Sequence, residues 1–306
     1  MALFFALALI LVQVPGTDAA IGKESMQVIS IEGCHLYYTI GTGDLSVGRA
    51  ALAQYVRDAA RAVIAYYGYF PVSKVVIHFE LTDDDGVGYG SSTFNDDKGT
   101  GEVDINIGES TTRSQLKESW TLTHELMHLG FPVVSHHARW LAEGIATYVE
   151  PIGRMRIGNI SKEEVWGDLL RNLHKGLPRQ GERGLHSSRS FDRVYWGGAL
   201  FCLLADVEIR QRTKNHLGLE DALRSIAKQG GTAASNWDAE EAIIAGDKGL
   251  GVTVLRSLYT TMADKPVSID VVAYLRKLGV EKAGSSVRFN DSAPLAAVRR
   301  AIDGLD

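Results

Sequence analysis

An α+β fold is predicted, with an N-terminal α/β lobe built on a small mixed sheet and a C-terminal lobe that is mostly helical. Up to about residue 110, short β-prone runs surround one long amphipathic helix; from Thr111 onward apolar residues recur almost throughout at helical spacing. No linker rich in Pro, Gly or Ser separates the two halves, which points to lobes sharing an interface. The expected boundaries are residues 21–110 for the first lobe and 111–306 for the second.

Residues 1–20 stand apart. Met1 to Val14 is almost wholly apolar and is followed by Pro15, Gly16 and the small residues Ala19 and Ala20, the outline of a secretion signal. The run is shorter than the roughly 20 residues a membrane span needs, so export to the periplasm or the exterior is expected, with no span in the mature chain. No Lys or Arg lies near Met1, which leaves a membrane anchor or a misassigned start as the alternative.

Residues 28–31 and 36–40 read as short strands around Gly33, and Ser46 is expected to cap a helix running to Tyr67 whose Leu52, Val56, Ala59, Ala60, Val63 and Ile64 share one face. Residues 75–81 form a strongly β-prone run. The stretch 83–100, rich in Gly, Asp and Ser, reads as a long exposed excursion, and Val103, Ile105 and Ile107 then alternate with polar residues as in a half-buried edge strand. Helices are expected at roughly 114–130, 137–149, 162–173, 195–212, 219–228, 239–245 and 269–278.

With 45% apolar and 23% charged residues, the 306-residue chain has an ordinary globular composition, and its net charge of −5 offers no field for nucleic acid or anionic lipid. Only Cys34 and Cys202 are present, too few for a cysteine metal cluster. A disulfide between them is permitted outside the cytoplasm, while the apolar surroundings of Cys202 favour a buried thiol at least as well.

The chemistry gathers between His124 and Glu150. His124-Glu125-x-x-His128 falls inside a predicted helix, where residues four apart lie one above the other. Both imidazoles can therefore address one ion while Glu125 reaches a water on it. A catalytic zinc usually takes three protein ligands and keeps one position open. Glu143, on the next helix after a short turn, is the natural third; Glu150, two turns further on, is placed to accept the second N–H of a ligating histidine. A third histidine in the metzincin arrangement is excluded, because Phe131 and Val134 stand where its Gly and His are required. His136 and His137 sit at the turn into the glutamate helix and read as surface or substrate-contacting residues.

Trp140-Leu-x-Glu143-Gly144 with Glu150, following the zinc helix, resembles the gluzincin metallopeptidases, a group that includes thermolysin and the alanyl-type aminopeptidases. A second match, Tyr195-x-x-Gly198-Ala199 leading to Asp206-Val-Glu-Ile-Arg210, is most similar to glycyl aminopeptidase. The resemblance spans roughly residues 120–300 and implies a thermolysin-like catalytic fold with an edge strand at the active site. It further implies one Zn2+ per chain on His124, His128 and Glu143, Glu125 as general base, and Tyr195 as the donor that steadies the oxyanion. A phenol suits that role as a neutral donor at pH 7. Asp206 and Arg210, four apart, are expected to pair.

Three departures from the pattern stand out. The gap between His128 and Glu143 is short, Gly197 replaces the usual Lys after the tyrosine, and there is no length for a PDZ domain. The implied activity is hydrolysis of peptides or proteins, with aminopeptidase action as the first reading. An exported endopeptidase, or an inactive binding protein of the same fold, are the alternatives. No segment corresponds to the amine-anchoring Gly-x-Met-Glu-Asn of the aminopeptidases; Glu102, ahead of the strand at 103–107, could place a carboxylate nearby but reads first as an ordinary turn glutamate.

Overall fold

The computed structural model describes residues 26–304; the expected secretion signal lies outside the described residues. In chain order the elements are β1 (Gln27–Ile31), β2 (Cys34–Ile40), α1 (Arg49–Tyr67), β3 (Lys74–Thr82), β4 (Val87–Asn95), β5 (Thr100–Gly108), α2 (Arg113–Glu118), α3 (Thr121–His128), α4 (Arg139–Arg156), α5 (Lys162–Asn172) and α6 (Phe191–Thr213). There follow α7 (Leu219–Lys228), α8 (Ala239–Leu250), α9 (Leu255–Met262), α10 (Val271–Lys277), β6 (Val280–Ala283), β7 (Ser286–Phe289) and α11 (Ala296–Asp303). The first five strands form one mixed sheet in the order β1-β2-β3-β5-β4, parallel at its centre and antiparallel at both edges. Among the described residues no helix is long and apolar enough to cross a membrane.

Alternation explains the sheet's inner strands. Val75, Ile77 and Phe79 of β3 and Val103, Ile105 and Ile107 of β5 are fully or almost fully buried and join Leu52, Val56, Ala59 and Val63 of α1 in one core. That core runs on without interruption into α3, α4 and α6. Each such side chain contributes about 1.5–3 kcal/mol by leaving water, so the helix carrying the two histidines rests on a rigid floor.

The sheet edge differs from expectation. The stretch read as an exposed excursion contains β4, and β4 rather than β5 forms the edge; β5 lies between β3 and β4. Gly88, Gly90, Ser91 and Ser92 carry no apolar alternation because one face of β4 is open and the other meets α3 at close range. A Cβ on Gly90 would stand 2.7 Å from Thr121 and 2.9 Å from Glu125.

The helix expected over 114–130 is two helices. Arg154 Nη2 takes the carbonyls of Lys117 and Glu118, and the Leu122 N–H goes to the Tyr55 hydroxyl, so bonds that a continuous helix would make with itself are made across the fold. α1 starts at Arg49, after Gly48 and with no side-chain cap from Ser46. The expected helix 137–149 begins at Arg139 and continues through Pro151 to Arg156. Sequence periodicity gave no expectation for α9, α11 or the β6–β7 hairpin. Cys34 and Cys202 are both buried free thiols.

Candidate metal centre and cleft

His124 and His128 stand one turn apart on α3, and their rings meet at 4.8 Å between centroids. The short connection after α3 brings α4 back beside it, with Glu143 next to both rings. His124 Nε2 and His128 Nε2 each lie 3.4 Å from Glu143 Oε2. One donor atom from each of the three residues lies within 4.8 Å of the others, the one such grouping found among the described residues. A separation of 3.4 Å is long for a hydrogen bond to a carboxylate. It is the spacing of two atoms each about 2.0–2.1 Å from a shared tetrahedral ion. Two imidazole nitrogens and one carboxylate oxygen are also a zinc-type donor set, so the residues fit that metal.

Burial lowers the pKa of His124 and so favours the neutral imidazole that a metal requires. Burial pulls His128 the same way, but its contact with Glu143 outweighs this and raises it. Glu143 is itself buried, which would raise its pKa; the two histidines overcome this and hold it far below the usual carboxylate range.

Glu125 is buried beside the pair, and Ser92 of β4 donates to its Oε2 at 2.8 Å. Sequence reading missed Ser92, and no local signal marks it, since only the sheet topology brings β4 over α3. Arg139 was missed as well. Its Nε donates to Glu143 Oε1 at 3.0 Å, and its Nη2 lies 3.5 Å from the Tyr195 hydroxyl. The four-residue spacing from Arg139 to Glu143 on one helix was the available clue.

Tyr195 reaches the group from the first turns of α6. Its ring stacks on His124, with centroids 6.0 Å apart and planes 13° apart, and on Phe191 at 4.0 Å. Burial, reinforced by the nearby Glu143 charge, raises its pKa, so the phenol remains a neutral donor. Glycines make this approach possible: a Cβ on Gly144 would stand 2.2 Å from Gly198 Cα, and one on Gly198 would stand 2.0 Å from the Trp140 carbonyl. The Glu-Gly and Gly-Ala steps of the two motifs are thus the contact point of α4 and α6.

Glu150 is not bonded to either histidine. Its Oε1 accepts from Arg154 Nη1 at 3.0 Å, and both groups are buried. Seven residues advance a helix by about 10 Å, which carries the carboxylate beyond the imidazoles and beside the arginine four residues on. His136 lines the cleft, whereas His137 packs against His186 at 4.9 Å; neither joins the three converging donors. Glu102 accepts from Asn95 and Lys98 at the β4–β5 turn and does not line the cleft. Asp206 and Arg210 pair as expected, at 2.8 Å.

The sequence matches no protein-family model and no curated protein. In three dimensions the chain is similar to an aminopeptidase N family protein from Idiomarina loihiensis, with TM-score 0.64 and 14% identity over 85% of this chain. It is also similar to an M1 zinc metallopeptidase variant from Deinococcus radiodurans, with TM-score 0.52 and 16% identity over 81% of this chain. That metallopeptidase variant bound to a Tyr-Ser-Ala substrate gives TM-score 0.51 and 15% identity. The match spans 50% of the Idiomarina loihiensis chain and 53% of each of the other two, so the likeness is one of fold and covers about half their length.

Proposed function

We propose that this chain is a zinc-dependent metallopeptidase holding one zinc on His124, His128 and Glu143 and hydrolysing peptide bonds. The observation that carries the reading is the 3.4 Å spacing of the His124 and His128 Nε2 atoms from Glu143, beside a cleft lined by His128, Glu143, Glu125 and Tyr195. When bound, zinc polarises the scissile carbonyl and acidifies the attacking water. Glu125, steadied by Ser92, takes the water's proton and delivers it to the leaving amine. Tyr195 donates to the carbonyl oxygen as negative charge grows there. Arg139 engages one oxygen of Glu143 and so turns the other towards the histidines. The free edge of β4 is available to pair with an extended substrate.

A peptide substrate is supported by the Tyr-Ser-Ala-bound Deinococcus radiodurans structure, and aminopeptidase action by the name of the Idiomarina loihiensis protein. Retention of Glu125 favours catalysis over an inactive binding protein, because a structural zinc site has no use for a general base. Purified protein is expected to carry one zinc per chain and to cleave members of a broad peptide library. Glu125→Gln should keep the metal and lose about 10²–10⁴ in turnover. Full activity in that variant removes Glu125 as the base, and zinc without any cleavage favours the binding protein. The apolar segment at residues 1–14 further supports export, for which N-terminal sequencing of exported protein should begin near residue 21.

A further inference from the structure

An enzyme that removes N-terminal residues must hold an α-ammonium, which in a partly desolvated cleft is best met by a carboxylate not already committed to a cation or to the reaction itself. The cavity on the β4 side, about 490 Å³, is lined by two carboxylates, and both are engaged. Glu125 accepts from Ser92, and Glu143 faces His124, His128 and Arg139. The guanidinium of Arg139, half exposed in the same cavity, repels an ammonium.

The space does not end at the histidines. Tyr195 also lines a second cavity of about 560 Å³, which reaches from His124 to α5. The acids there are partnered too: Glu150 by Arg154, Glu164 by the Ser161 N–H and hydroxyl, and Asp168 by Asn172 and Arg171.

Among the described residues eight large apolar side chains are exposed, and four of them rim these two cavities. Tyr89 (73% exposed) and Val133 (51%) stand on the first; Trp120 (48%) and Phe191 (64%) stand on the second. Scattered apolar residues need no explanation, but two on each of two cavities that meet at Tyr195 offer apolar contact to a chain on each side of that residue.

Resting on the zinc peptidase reading, we infer that the cleft takes an extended polypeptide running through it and cuts internal bonds flanked on both sides by apolar or aromatic residues. The chain end plays no part in recognition. Water adds to the internal carbonyl, its proton passes through Glu125 to the departing amine, and the products are one new carboxylate and one new amine.

The test is binding to zinc-loaded Glu125→Gln of a fluorescent ten-residue peptide with Phe and Leu at its centre, with free or acetylated N-terminus and an amidated C-terminus. The two forms should bind within about threefold, and a loss above about tenfold on acetylation overturns the inference. Tyr89→Ser and Phe191→Ser should each weaken binding by about threefold or more; an effect confined to one of them overturns it, since the chain would then occupy a single side. Wild-type protein should cut the acetylated peptide internally, and release of N-terminal residues from the free form alone overturns it. If wild type cleaves no peptide while the binding pattern holds, the peptidase reading fails and passage of the chain through the cleft stands.

Discussion

Helices α4 and α6 carry charged groups at two places along their contact, and the two places are built on different terms. Beside Gly144 and Gly198, Glu143 faces two histidines at 3.4 Å and opens to a cleft. About one turn further on along α4 and two to three turns along α6, Arg210 donates to Asp206 and to both oxygens of Glu220 at 2.8 Å, the Tyr148 hydroxyl donates to Asp206 at 2.9 Å, and the group is buried. In the second cluster every charge is answered by protein at hydrogen-bond distance, which offsets the cost of removing it from water. In the first, the spacing leaves room for a partner that the chain does not itself supply. Burial with complete pairing marks a cluster that holds the fold, whereas burial at ion spacing beside a cavity is what the proposed zinc site requires.

The sharpest way to break this contrast is Arg210→Ala, which leaves Asp206 and Glu220 buried without their cation. A loss of about 3–5 kcal/mol is expected in urea unfolding, with zinc affinity of the folded protein unchanged. A loss below about 1 kcal/mol would remove the distinction. Tyr195→Phe tests the other end: kcat should fall by about 10²–10³, while the unfolding midpoint hardly moves.

The smallest effect concerns Glu150, on the same helix as Glu143 and Tyr148 and paired with Arg154. Burial lifts its pKa from the ordinary 4.5 to about 7, with Arg154 pulling the other way. A carboxyl whose folded pKa is raised stabilises fully below its unfolded pKa, and that contribution fades as pH rises through the folded value. The stability of wild type relative to Glu150→Gln should therefore fall between about pH 4.5 and 7 and then level off. Denaturant melts of both proteins at pH 4.5, 6 and 8 check this, and parallel curves would place the Glu150 charge in water.

Much of the candidate site was legible because its geometry is local. Two histidines four apart on a helix must share a face, and a glutamate on the next, closely connected helix returns beside them. Asp206 and Arg210 were legible for the same reason. The second partner expected for a ligating histidine was not, since Glu150 had two possible neighbours and Arg154 was the nearer on its own helix. Arg139 had a local signal in its four-residue spacing from Glu143, whereas Ser92 entered only when β4 was in place, because an edge strand facing a cleft needs no apolar alternation.

By itself the sequence determined the period of its elements, the α+β order and the spacing of His124, His128 and Glu143, because these depend on residues a few positions apart. Tertiary structure alone decided which strand forms the edge, what holds Glu125, where the helix breaks before Thr121 and that two cavities meet at Tyr195. Each of those depends on groups far apart in the chain competing for the same hydrogen bond or the same space, and local periodicity carries no record of that competition.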